Sequence, residues 1–407
     1  MSARMDYRFA RRLASLEASA TAAMTARVAQ MRAAGIKVIS FSVGEPDFDT
    51  PEPIKQAAIA GIQANHTHYT PTGGTLELRK VIAARVSADQ GLSYGIGQVT
   101  VTTGAKEALY LAFQALCDEG DEALIPAPYW VSYVEQAKLA GATPVTPQTS
   151  EQTGFKLTPD QLRASLSERT RIVVLNSPSN PTGAVYSAEE LAALAAVLRD
   201  HPAIIITDEI YDAISYVPYT RLLRVAPDLA ERTLVVNGAA KAYAMTGWRV
   251  GYVAGPQPII EAIKAIQSHT STHTSSISQD AALAAYTPNP DIEATVAAMT
   301  AEFQRRRDLI LGLLAEIPGV TCTVPDGAFY VFPNVSALLN RPLRNGKVCT
   351  TSDELNLYLL EEAHIACVAG EAFGAPGYLR LSYATGSEEI RVGMQRFREA
   401  VLGNDAA

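Results

Sequence analysis

Through the middle of the chain, short β-branched runs alternate with longer stretches whose apolar positions fall three and four residues apart. That order predicts a mostly parallel sheet with crossover helices. Three runs are apolar without alternation: 171–175 (Arg-Ile-Val-Val-Leu), which breaks into Asn176-Ser177-Pro178; 203–207 (Ala-Ile-Ile-Ile-Thr), which ends at Asp208; and 233–236, which ends at Asn237-Gly238. A strand covered on both faces has no reason to alternate, so all three are expected inside the sheet. A fourth unit, 99–101 followed by Thr102-Thr103-Gly104-Ala105-Lys106 and an apolar pattern to Leu116, predicts strand, tight turn and helix. In open α/β sheets ligands collect at the carboxyl ends of the strands. Each of these ends carries polar residues, and the chemistry is sought there.

Beyond about residue 290 the texture changes. Asn289-Pro290 reads as a break, and 292–317 has the spacing and charge of a long amphipathic helix closed by Pro318-Gly319. A helix over 16–34 has no strand partner of its own nearby and is expected to pack on the C-terminal portion. The expected organisation is therefore an α/β large domain over 46–289, and a small α+β domain from 1–45 and 290–407. A length of 407 residues suits two domains around a shared cleft.

Composition narrows the function. With 48% hydrophobic and 19% charged residues the chain reads as a globular enzyme. The net charge of −8 and pI near 5.4 argue against a broad surface for nucleic acid or anionic lipid, so a bound anion needs a local basic pocket. Cys117, Cys322, Cys349 and Cys367 lack the paired spacing of a zinc site and the density of a disulfide scaffold, so no metal is expected and a cytoplasmic setting fits. No run approaches the roughly 20 apolar residues that cross a bilayer. Arg4, Arg8, Arg11 and Arg12 lie in an acid-poor opening that reads either as a transit peptide or as a short basic helix.

Several strand-end residues are candidates for chemistry. Lys241, just past a buried strand, can be desolvated, which lowers its pKa and frees the amine as a nucleophile; standing alone, it reads as a surface charge. The small residues before it admit a ring, and Arg249 carries a fork suited to phosphate. Asp208, in Asp208-Glu209-Ile210-Tyr211, either caps a following helix or pairs with a cationic ring nitrogen, with Tyr211 near a ring oxygen. Asn180-Pro181-Thr182-Gly183 is either a turn or places an amide donor. Gly104, Ala105 and Lys106 open a helix whose free N–H groups suit an anion, or simply start it. Trp130 is either core packing or the cover of a flat ring. Arg380 interrupts a strand-like pattern, so it faces outward or is paired, and a carboxylate is its natural partner.

Five motifs in one order carry a resemblance. Ser42-Val43-Gly44-Glu45-Pro46-Asp47-Phe48, Tyr69-Thr70-Pro71, Asn180-Pro181-Thr182-Gly183, Asp208-Glu209-Ile210-Tyr211 and Met245-Thr246-Gly247-Trp248-Arg249 resemble the class I aminotransferases of fold type I, especially the bacterial aspartate aminotransferase branch. The resemblance spans nearly the whole chain. It implies pyridoxal 5′-phosphate as cofactor, with Lys241 as the Schiff-base lysine, Asp208 on the pyridine nitrogen, and Tyr211 and Asn180 on the ring oxygen. Trp130 would stack on the ring; Gly104, Ala105, Lys106 and Arg249 would hold the phosphate. Tyr69 would reach the phosphate of a neighbouring subunit in a homodimer with shared sites. Gly44, Trp130, Asn180 and Arg380 would contact the substrate, and Lys106, Ser19 and Thr21 its second acid group.

One position departs from the pattern: many relatives have a phosphate-binding serine where this chain has Ala240, which is expected to change cofactor affinity rather than activity. The implied reaction is ping-pong amino transfer between an L-amino acid, aspartate first, and a 2-oxo acid, 2-oxoglutarate first. The alternatives are a prephenate or aromatic aminotransferase, then a β-lyase on the same fold. A cofactor-sensing regulator is disfavoured, because only about 40 residues precede Gly44 and they lack a basic helix-turn-helix pattern.

Overall fold

A computed structural model describes residues 7–402 of the chain. Arg4 lies outside the described residues. Arg11–Ser15 form a short 3₁₀ helix, and Arg8, Arg11 and Arg12 are exposed.

The central sheet has seven strands in the order Val99–Thr102, Gly251–Ala254, Thr233–Gly238, Ile204–Asp208, Thr170–Asn176, Glu122–Leu124 and Thr143–Val145. Only Gly251–Ala254 runs against its neighbours, so Thr102, Gly238, Asp208 and Asn176 finish at one edge. The unbroken apolar runs have the cause expected of them. Val173, Leu175, Ile205 and Val235 face one hydrophobic cluster, while Ile172, Val174, Ile206, Leu234 and Val236 face another. Side chains alternate, yet both faces are covered, so both sets are apolar. Each such side chain contributes roughly 1.5–3 kcal/mol by leaving water. The helix Ala105–Leu116 follows Val99–Thr102 and buries Leu109, Ala112 and Phe113 against the sheet.

The C-terminal part carries a three-stranded antiparallel sheet, Val368–Ala369, Leu379–Ser382 and Tyr330–Val331. Beside it the helix Pro290–Ala315 buries Phe303, Ile310 and Leu314 in one cluster with Met394 and Phe397. This helix starts two residues before the expected 292, because the Asn289 side chain accepts from the N–H groups of Asp291 and Ile292 and Pro290 needs no donor.

The N-terminal segment packs on this part. Ile39–Ser40 pairs in parallel with Ile365–Ala366, and Met24 and Val28 pack on Leu360 and Ala366. Its helix, however, is Ala20–Ala33 rather than 16–34: Ser19 accepts from Ala22 N at 3.3 Å and so fixes the start. The segment between these parts bonds to both of them. Arg306 Nη1 on the long helix meets Asp47 Oδ1 at 2.7 Å, and Thr246 Oγ1 donates to Glu45 Oε2 at 3.0 Å.

Candidate active site

A cavity of about 380 Å³ opens at the carboxyl edge of the central sheet. Three strand ends contribute to it. Asp208 closes Ile204–Asp208 and is 3% exposed. Its Oδ2 accepts from Tyr133 Oη at 2.6 Å and its Oδ1 from Ile210 N at 3.2 Å. Burial pushes its carboxyl up to about 6, against the two hydrogen bonds and the nearby Lys241 ammonium, which favour the anion. Turns follow Asp208 rather than a helix, so capping does not account for it.

Lys241 lies on the single helical turn Ala239–Ala242 that follows Thr233–Gly238. Its Nζ donates to Gly44 O and sits 5.8 Å from the Tyr211 ring centroid. Burial lowers its pKa to about 8; Glu45 opposes this, and Arg380 and Arg249 add to it. The shift favours the unprotonated amine relative to an ordinary lysine.

Arg380 faces inward, and among the described residues no carboxylate pairs with it. It is 2% exposed on Leu379–Ser382, with Nη1 donating to Asn180 Oδ1 at 3.0 Å and Nη2 to Ser42 O at 2.7 Å. Among the described residues its Nε has no partner, and no carboxylate is among the groups acting on its charge. Isolated buried charge is costly, by several kcal/mol even after relaxation. An anion from outside the chain can supply the missing charge here.

The helix start supplies a second anion site. Gly104 has φ 82° and precedes Ala105–Leu116. A Cβ on Gly104 would fall 2.6 Å from Arg249 Nη2, so the glycine lets the guanidinium close over the helix terminus. The first backbone N–H groups of a helix lack intrahelical partners, and here Ala105 and Lys106 line the cavity. Lys106 Nζ stands 5.0 Å from the Trp130 ring centroid, and burial, then Arg249, lowers its pKa. Ser19 and Thr21 reach the same cavity from the N-terminal helix.

Of the expected residues, Gly44, Gly104, Ala105, Lys106, Trp130, Asn180, Asp208, Tyr211, Lys241, Arg249, Arg380, Ser19 and Thr21 all line this one cavity. Tyr69 does not. It is 89% exposed, and its ring centroid lies 5.5 Å from that of His273, edge-on. Tyr133, Tyr330 and Asn176 were not anticipated. Tyr133 follows Trp130 by three residues on the helix Val131–Leu139, a spacing that signals a shared face. Asn176 holds Asn180 N at 2.9 Å and Asp208 O at 3.0 Å, a bracing role hidden in what reads as a strand end. Among the described residues no cluster of metal-ligating side chains occurs.

The sequence profile of the family described as aminotransferase class I and II matches residues 36–397. This chain belongs to that family. Aspartate aminotransferase of Geobacillus stearothermophilus is 46% identical over 96% of this chain and 98% of its own length. An aspartate/prephenate aminotransferase of Cereibacter sphaeroides is 44% identical over 96% and 98% respectively. The crystal structure of an aspartate aminotransferase from Rhizobium meliloti superposes with a TM-score of 0.93 at 41% identity, covering 97% of this chain and 99% of that one. The protein is a pyridoxal-phosphate-dependent aminotransferase of fold type I, and the expected α/β class holds.

The cavity fits that cofactor. Its donor set offers an amine of lowered pKa, a buried carboxylate for a cationic ring nitrogen, a flat indole, and an arginine closed over a helix start for a phosphate. Ala240, buried at the cavity wall, adds no hydroxyl to that phosphate site.

Proposed function

We propose that this aminotransferase moves the amino group of L-aspartate to a 2-oxo acid, 2-oxoglutarate first. The single observation that carries the reading is Arg380, a buried guanidinium with two fixed hydrogen bonds and, among the described residues, an unpartnered Nε and no paired carboxylate. It lines the cavity that also holds Lys241 and Asp208. An α-carboxylate supplies the missing charge.

When bound, pyridoxal phosphate supplies an electron sink for the bond broken at the substrate α-carbon. The chain's residues do the rest. Arg380 and Asn180 hold the α-carboxylate and so fix which α-carbon bond faces Lys241. Lys241 Nζ, kept partly unprotonated by burial, takes the α-proton as general base. Asp208 stays ionised beside a cationic partner, with Tyr133 holding its orientation. Trp130 covers the ring and excludes water from one side, while Gly104, Ala105 and Arg249 anchor the phosphate, with Lys106 beside them. Lys106, Ser19 and Thr21 meet the second acid group of a dicarboxylate.

Tyr69, exposed in the single chain, is assigned to the phosphate of a second subunit, which makes the working form a homodimer. The large domain is assigned to 46–289 and the small one to 1–45 with 290–407, and the setting to the cytoplasm. Prephenate is a second acceptor to test, since one similar protein is named for both substrates. The test is incubation of the purified holoprotein with L-aspartate and 2-oxoglutarate. Oxaloacetate and glutamate in equal amounts are expected; release of ammonia or loss of a side-chain group instead would replace transfer with elimination.

A further inference from the structure

The hydroxyls of Tyr211 and Tyr330 lie 2.7 Å apart, and both side chains are buried. Tyr211 comes from the turn after Ile204–Asp208, and Tyr330 from Tyr330–Val331, where Ser382 stands opposite it. Arg380, two residues before Ser382, shares that face as the diagonal neighbour. Its guanidinium lies 4.6 Å from the Tyr330 ring centroid and 5.1 Å from that of Phe373. Gly44 closes the third side: a Cβ there would overlap Tyr330 Oη, and Gly44 O is the acceptor for Lys241 Nζ. The charged groups around the two phenols are Arg380, Lys241 and Asp208.

A phenol has one proton to donate. If Tyr211 directs its proton to the oxygen on the cofactor ring, none remains for Tyr330, and Tyr330 must be the donor within the pair. The two bonds then run in one direction, and each polarises the next. We propose that Tyr330 is a positioning residue of the amino-transfer site: its hydroxyl donates to Tyr211 and so turns the Tyr211 proton into the cavity, while its ring carries the Arg380 guanidinium. One side chain thereby braces the groups assigned to cofactor and substrate. The inference rests on the aminotransferase reading above and adds a residue to it.

Tyr330→Phe keeps the ring under Arg380 and removes the donor; Tyr330→Leu removes both. Each holoprotein is titrated without substrate over roughly pH 5–10 through the visible absorption of its bound cofactor. Then kcat and KM for aspartate are measured. A proton donated to the ring oxygen favours its anion and holds the midpoint down. The phenylalanine variant should therefore titrate about 0.5 pH unit higher, lose roughly three- to tenfold in kcat, and keep KM within about twofold. The leucine variant should in addition raise KM about tenfold, the loss of a desolvated cation–π contact. A phenylalanine variant with the wild-type midpoint, or with the KM of the leucine variant, overturns the proposal. If the wild-type protein transfers no amino group, the aminotransferase reading fails, whereas the midpoint comparison still decides the role of Tyr330.

Discussion

Replacing Lys106 with alanine separates two roles for the same ammonium. The side chain rises from the first turn of Ala105–Leu116, lies over Trp130 with Nζ 5.0 Å from the ring centroid, and shares the cavity with Ser19 and Thr21. If it meets the distal acid group, its loss removes one charge-assisted contact of about 1.5–3 kcal/mol, or roughly ten- to a hundredfold in half-saturation by aspartate. Loss of the indole contact, about 0.5–1 kcal/mol at an accessible site, falls on every substrate alike. The assay is the half-reaction with each amino acid alone, followed by cofactor absorbance, so that a dicarboxylate acceptor does not enter. Aspartate should weaken by that factor while phenylalanine changes no more than about fivefold. Equal losses for both would place Lys106 on the cofactor phosphate and refute the assignment to the distal carboxylate.

Lys241→Ala should abolish turnover; in the cofactor-free protein it should also flatten the rise of stability with alkaline pH. The folded pKa is depressed to about 8, so protonation opposes folding fully below that pH and ceases to do so near the unfolded value. Wild-type stability should therefore gain on the order of 3 kcal/mol across roughly pH 8–10.5 relative to the variant, read by chemical denaturation. Asp208→Ala should lower turnover by roughly 10²–10⁴, the cost of removing one partner of a buried charge pair. A loss under about threefold would reduce Asp208 to the bonds it accepts from Tyr133 Oη and Ile210 N. Arg221 touches Asp212 at 2.7 Å, Glu209 at 3.1 Å and Asp89 at 3.4 Å behind the site, and burial already pushes Glu209 up to about 7. Arg221→Ala should destabilise the protein by about 3–5 kcal/mol, less at pH 6 than at pH 8, because protonation relieves the stranded carboxylates. A loss independent of pH would mean the cluster acts only by packing.

The elements that were legible in the sequence are those whose neighbours cover both faces. The runs ending at Asn176, Asp208 and Gly238 became adjacent interior strands because uninterrupted Val and Ile leave no polar face to expose. Lys241, Asp208 and Arg249, which line one cavity, could be singled out because punctuation after a strand marks the edge where ligands collect. The burial of Arg380 was only half legible. A strand interrupted by arginine does not say whether the guanidinium faces water, and it is Asn180, Ser42 and the Tyr330 ring, distant in sequence, that make the pocket. Tyr330 and Tyr133 escaped for the same reason: both act through partners fixed by tertiary pairing. The N-terminal helix was drawn too long because apolar spacing continues through a serine that caps.

The account depends most on the amine of Lys241. Borohydride reduction of the holoprotein, followed by peptide mass spectrometry, fixes the cofactor wherever an amine is bonded to its aldehyde carbon. The phosphopyridoxyl mass should appear on the peptide carrying Lys241, with transfer from aspartate lost in step with labelling. Label on Lys106, or on no lysine while transfer persists, would contradict it.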